Sequence, residues 1–93
     1  MKTITIQIGN SDNKLTQEKW SMFVEQVGML INRDANTVHF FGGSSTWAKW
    51  QNVCWVFECK EEKIALLKEN LAYCRGLFAQ DSVAYCEGET EFV

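Results

Sequence analysis

A two-layer α+β fold of order βαββαβ is what this chain of 93 residues predicts. Three observations carry the expectation. Ile4, Ile6 and Ile8 alternate with Thr3, Thr5 and Gln7, the period of a half-buried strand. Two longer stretches, 20–31 and 64–78, place apolar residues three and four apart, as amphipathic helices do. Three further short apolar runs, 37–41, 53–59 and 82–86, complete the order.

The elements can be justified in turn. The first strand ends at Gly9, and the polar turn 10–14 follows. Thr16 is a helix N-cap, with Leu15 and Trp20 at the two positions of a hydrophobic staple. Trp20, Phe23, Val24, Val27, Leu30 and Ile31 form one apolar stripe, and residues 34–36 should end the helix. The strand at 37–41 leads through an eleven-residue loop, 42–52, into the strand at 53–59. Glu61 and Glu62 favour a helix N-terminus through the macrodipole, and Ile64, Leu67, Leu71, Cys74 and Phe78 line one side of that helix. Gly76 weakens its end, and a last strand occupies 82–86. A bulge at Gly88 would let it continue through residues 89–93. Right-handed crossovers then place both helices on one face of a four-stranded antiparallel sheet of order 4-1-3-2, the ferredoxin-like arrangement. The whole chain, 1–93, reads as one domain.

Composition excludes several functions. A net charge of −3, with Glu87, Glu89 and Glu91 gathered at the end, opposes nucleic-acid binding, which needs a basic face. It suits a neutral or basic small molecule, or a basic protein surface. No segment approaches the ~18–20 apolar residues needed to span a membrane, and the alternating N-terminus is unlike a signal peptide, so a cytoplasmic address is expected. Cys54, Cys59, Cys74 and Cys86 match no zinc or C-x-x-C spacing and read as reduced, buried thiols. No metal and no cofactor is implied.

Topology predicts where such a protein works. Loops 9–15, 42–52 and 80–82 should meet at one pole, together with the N-terminus of the first helix, whose free N–H groups suit an anion or a carbonyl. The candidate binding residues there are Asn10, Ser11, Asp12, Lys14, Gly43, Ser44, Ser45, Trp47, Lys49, Trp50, Gln51 and Asp81. Trp47 and Trp50 weigh most, because a hairpin usually needs two to five loop residues and large aromatics are costly to leave in water. The competing explanation is that Ser, Asn, Asp and Gly are there to make turns.

The sheet face without helices is a second candidate surface. It should carry Thr3, Thr5 and Gln7 with either Trp55 and Phe57 or Cys54 and Val56, a choice that periodicity leaves open. Aromatics there would favour a homodimer or higher homo-oligomer through that face. Base stacking on them is the rival, but neither a basic groove nor the usual glycine-aromatic strand pattern accompanies it. Enzyme chemistry is thin. The single histidine, His39, lies between apolar neighbours and reads as packed or functional; Asp12 and Asp81 could form an acid–base pair or serve as turn formers. Gly42-Gly43-Ser44-Ser45 resembles an anion-binding nest only loosely, since it opens no helix.

The runs 7–12 (QIGNSD), 39–43 (HFFGG) and 87–92 (EGETEF) resemble those of small uncharacterised phage and bacterial proteins. The resemblance covers most of the chain and brings no activity with it. It implies a virus-encoded accessory protein, such as an anti-defence inhibitor that binds a host protein or sequesters a nucleotide signal. The expectation is therefore a non-catalytic binding module using the polar loops on a host protein or a small polar, nucleotide-like ligand. The alternative is a small dimeric α+β enzyme with a cavity between sheet and loops.

Overall fold

The computed structural model describes residues 1–10, 14–45, 48 and 51–93. Six elements follow the expected order: β1 (Lys2–Gly9), α1 (Gln17–Asp34), β2 (Thr37–Gly43), β3 (Asn52–Cys59), α2 (Glu61–Leu77) and β4 (Ala84–Gly88). The strands make one antiparallel sheet of order β2-β3-β1-β4, so the fold is ferredoxin-like.

The pairing of β1 with β3 decides which side chains are core. Ile4 lies opposite Phe57, Ile6 opposite Trp55 and Ile8 opposite Val53. Cross-strand partners share a face, so Trp55 and Phe57 join the isoleucines beneath the helices. Phe23, Val27 and Ile31 of α1 and Leu67, Leu71 and Cys74 of α2 close the same cluster. Cys54 and Val56 consequently lie on the helix-free face, opposite Gln7 and Thr5.

The helix ends follow local rules. Thr16 Oγ1 accepts from the Lys19 N–H at 3.2 Å, and buried Leu15 and Trp20 form the staple beside it. At the other end the Ala35 N–H reaches Ile31 O, and the Arg33 guanidinium grips Asp34 with two 3.0 Å hydrogen bonds. α2 closes in a Schellman motif: the Ala79 N–H donates to Gly76 O and the Gln80 N–H to Arg75 O. That motif needs a left-handed residue, and Ala79 supplies it at φ 54° where glycine is usual.

Two strands differ from expectation. β4 spans Ala84–Gly88, starting and ending two residues later than 82–86, and residues 89–93 do not extend it. The later end has a cause on α2: Lys68 lies over the Tyr85 ring at 4.4 Å and pairs with Glu87 at 3.8 Å, which also accepts from the Tyr85 hydroxyl. Beyond the strand, the hydroxyls of Thr90 and Thr3 still meet. β2 extends to Gly43 and carries a register shift between Val38 and Phe40. This bulge changes the parity of the strand, so Val38 and Phe41 both lie on the helix side, opposite Phe57 and Trp55.

Gly43 sits where β2 crowds β3: an added Cβ would collide with Asn52 O and come within 2.9 Å of Val53 Cα. Gly43→Ala is expected to cost at least ~1–3 kcal/mol, since backbone must move. Ala79→Gly should gain ~0.5–1 kcal/mol, because relief of the left-handed strain exceeds glycine's extra unfolded-state entropy. Urea unfolding midpoints of the two variants should therefore move in opposite directions from the parent.

Candidate functional site

The described residues of three connections, Asn10, 14–16, Ser44, Ser45, Gln51 and 78–83, gather at one pole of the sheet. Asn10 joins the first two. Its backbone N–H donates to Gln51 O at 2.8 Å, and its side-chain Oδ1 accepts from the Leu15 N–H at 3.0 Å. Its Nδ2 donates to Leu15 O at 3.0 Å and to Gln51 Oε1 at 3.2 Å. Gln51 in turn exchanges two hydrogen bonds with Gln17 in the first turn of α1, at 2.8 and 3.1 Å. Asn10 is 1% exposed and Gln51 5%, so the Asn10–Gln51 part of the network is dry, while Gln17 closes it from the exposed side.

Three expected site residues therefore have structural work. Asn10 and Gln51 tie the β1–α1 turn to the start of β3, and Gly43 permits the close approach described above. Ser44 closes the base of the hairpin, donating its N–H to Asn52 O and accepting from the Asn52 N–H, both at 2.9 Å. Ser45 is exposed beside a small depression of about 220 Å³ that reaches Trp20 and Val24 of α1. Lys14 and Asp81 stand 3.9 Å apart in solvent and bring the third connection to the pole. Ser11, Asp12, Trp47, Lys49 and Trp50 lie outside the described residues, as does any acid–base pairing of Asp12 with Asp81.

The larger concavity is a groove of about 610 Å³ between the ends of β1 and β3 and the 78–83 connection. β4 starts only at Ala84, opposite Gln7, so Ile8 and Gly9 run on past it. The connection swings outward there, held by the Schellman motif, by Arg75 Nη1 donating to Gln80 O and by Gln80 Nε2 donating to Phe78 O, each at 3.1 Å. Gln7, Asn52, Gln80, Asp81 and Ser82 give the groove its polar lining. Among the described residues lining it, Asp81 is the one formal charge. Carboxamides and a hydroxyl both donate and accept, and the one carboxylate already stands 3.9 Å from Lys14, so the groove suits a polar group that is neutral overall. Sequence reasoning named only Asp81 of these. Gln7 was assigned to the open face alone, and the position of Gln80 and Ser82 depends on a helix end that periodicity does not locate.

His39 is neither buried nor at the pole. It lies by the bulge in β2, with Nε2 at 3.8 Å from Glu58 Oε1. Ser44 lies five residue steps along the chain, a distance of about 16 Å, so His39 cannot serve Ser44 or Ser45 as a base. Among the described residues, no group of three or more His, Cys, Asp or Glu side chains is placed to hold a metal ion. No described helix is long and apolar enough to cross a membrane. The helix-free face bears Thr3, Thr5, Gln7, Cys54 and Val56, and Phe40, opposite Val56, is its aromatic residue. No family model, curated protein or solved structure matches the chain.

The cysteines are free and differ sharply in setting. Cys59 and Cys74 are buried, Cys54 is half-buried, and Cys86 is exposed on the helix-free face. Burial pushes the Cys59 and Cys74 thiols above their ordinary range, leaving little thiolate. Alkylation at neutral pH, followed by intact and peptide mass, should modify Cys86 first and Cys54 next. Cys59 and Cys74 should react only on unfolding. For the polar network, Asn10→Ala is expected to cost ~2–3 kcal/mol by orphaning buried groups of Leu15 and Gln51. Lys14→Ala should stay within ~0.5 kcal/mol, as exposed ion pairs do. Equal unfolding midpoints for these two variants would refute the structural role of Asn10.

Proposed function

We propose that the chain is a non-catalytic binding module that uses the loop pole to hold a small polar ligand that is neutral overall. The observation carrying this reading is the 610 Å³ groove, lined by Gln7, Asn52, Gln80, Asp81 and Ser82, beside a pole locked by the Asn10–Gln51–Gln17 network. That network holds the rim of the groove in one geometry, as a binding site needs. The tryptophans of the long connection, Trp47 and Trp50, extend the recognition surface on the strength of their sequence alone. The resemblance to small phage and bacterial proteins supports an accessory role in such a cell, with a host protein as the other class of occupant.

Native mass spectrometry of the full chain, purified from the cell that makes it, tests the proposal. The parent should retain a small molecule. Ser82→Trp, which fills the groove from an exposed position, should release it, and so should Trp47→Ala combined with Trp50→Ala. The melting temperature should move by less than ~2 °C in each variant. A retained polypeptide in place of a small molecule would reassign the pole to protein binding, and retention by Ser82→Trp would remove the groove from the proposal.

A further inference from the structure

We infer that β2 is a homodimer seam, where two copies pair edge to edge into a continuous eight-stranded sheet. β2 is an outer strand, and an outer strand turns the N–H and C=O of every second residue toward solvent. Proteins usually protect such an edge with lysine, proline, inward charge or a bulge, and of these β2 has only the bulge at Val38–Phe40. β2 reads Thr-Val-His-Phe-Phe-Gly-Gly, with no proline and no Lys, Arg, Asp or Glu. Its apolar side chains are also poorly covered: Phe41 is 59% exposed, Phe40 52% and Val38 39%.

The helix layer continues this surface. The bulge brings Val38 and Phe41 to the same side, where they border a groove of about 320 Å³ with Val24, Gly28 and Met29 of α1 and the edge of Trp55. Met29 is 59% exposed. Together Val38, Phe40, Phe41 and Met29 leave on the order of 400 Å² of apolar surface open. With the strand backbone added, that approaches the ~800 Å² per partner of a standard interface.

Charge selects a second copy as the occupant. Each molecule carries a net charge of −3, so two copies repel least where charge is sparsest. β2 itself carries no formal charge, and Glu25 is the one carboxylate among the residues lining the groove beside it. The opposite edge is more acidic, since β4 and the residues after it present Glu87, Glu89 and Glu91. An antiparallel strand is also its own complement: rotation about a twofold sets donors against acceptors, and Phe41 of each copy comes to the other's groove. The helix-free face lacks this match, because Thr3, Thr5 and Gln7 occupy its centre. The stripe of Leu66, Tyr73 and Leu77 on α2 is interleaved with Glu62 and Glu69.

Sedimentation velocity of the full chain between about 1 and 100 μM tests the seam. The parent should be dimeric at the upper end, and Phe41→Lys should be monomeric there. Phe41 also stacks on Trp55 at 5.4 Å between centroids, so Met29→Lys, an exposed helix position, is the second variant and should likewise dissociate the dimer. Cys86→Lys on the helix-free face and Tyr73→Lys on α2 should leave it intact. Alternate β2 amides should gain hydrogen-exchange protection as concentration rises. A parent that is monomeric throughout would overturn the inference, as would a dimer broken by Cys86→Lys or Tyr73→Lys and untouched by Met29→Lys. None of these readouts depends on a ligand at the pole.

Discussion

The register between β1 and β3 is the constraint on which the rest of this structure depends. With Ile4 against Phe57 and Ile6 against Trp55, four large side chains enter one face together. A slip of one residue would send one strand's set to the opposite side, at ~2 kcal/mol or more for each large apolar group left in water. Once that pairing is made, the helix-free face must be Thr3, Thr5, Gln7, Cys54 and Val56. β2 then has to fit a neighbour whose inward positions are already assigned. Val38 and Phe41 lie three residues apart and would point to opposite faces in a regular strand. The bulge between Val38 and Phe40 turns both inward, and the cost is an edge that shows more apolar surface than α1 can cover.

The pole follows from the same sheet by a different kind of interaction. β1 and β3 end together, Gly9 opposite Asn52, and the chain leaves in two directions from that pair. Buried Asn10 and Gln51, one residue beyond, satisfy each other and the adjacent backbone, so the departing loops are fixed relative to one another and to the first turn of α1. Apolar residues could fill that space, but they could not satisfy the Leu15 N–H and carbonyl. A dry polar knot is thus the local solution to a backbone accounting problem. Its by-product is a rigid rim beside the groove.

Much of the fold was legible because its signals are local. Alternation at Ile4, Ile6 and Ile8, the Thr16 cap with its Leu15–Trp20 staple, and the stripe from Trp20 to Ile31 each specify an element without help from distant residues. The side of the sheet taken by Trp55 and Phe57 was not legible, since every residue from Val53 to Phe57 is apolar and both phases look alike; only pairing with β1 distinguishes them. The end of β4 was misplaced for a similar reason. Glu87 looks like a solvent residue until Lys68 and Tyr85, contributed by another element and by the strand itself, give it partners. At the site, polar type alone could not separate Asn10 and Gln51, which hold the pole together, from Gln80 and Ser82, which line its groove. That distinction is one of burial, and burial is a property of the folded chain.

Ala79 shows where the molecule accepts strain. A left-handed alanine costs ~1 kcal/mol relative to glycine, a visible fraction of the 5–15 kcal/mol that holds a domain together. The strain is met by the two Schellman hydrogen bonds and by Arg75 and Gln80, whose side chains bind the turn's own carbonyls. Glycine would relax the turn, but a looser turn would let Gln80, Asp81 and Ser82 sample more positions over the groove. Strained backbone that is over-determined by its surroundings concentrates where geometry is used. The same trade appears at the bulge in β2, where regular pairing is given up to set Val38 and Phe41 side by side. In both places the chain departs from its easiest local conformation beside a concave surface, the groove at the pole next to the Ala79 turn and the groove against α1 next to the bulge.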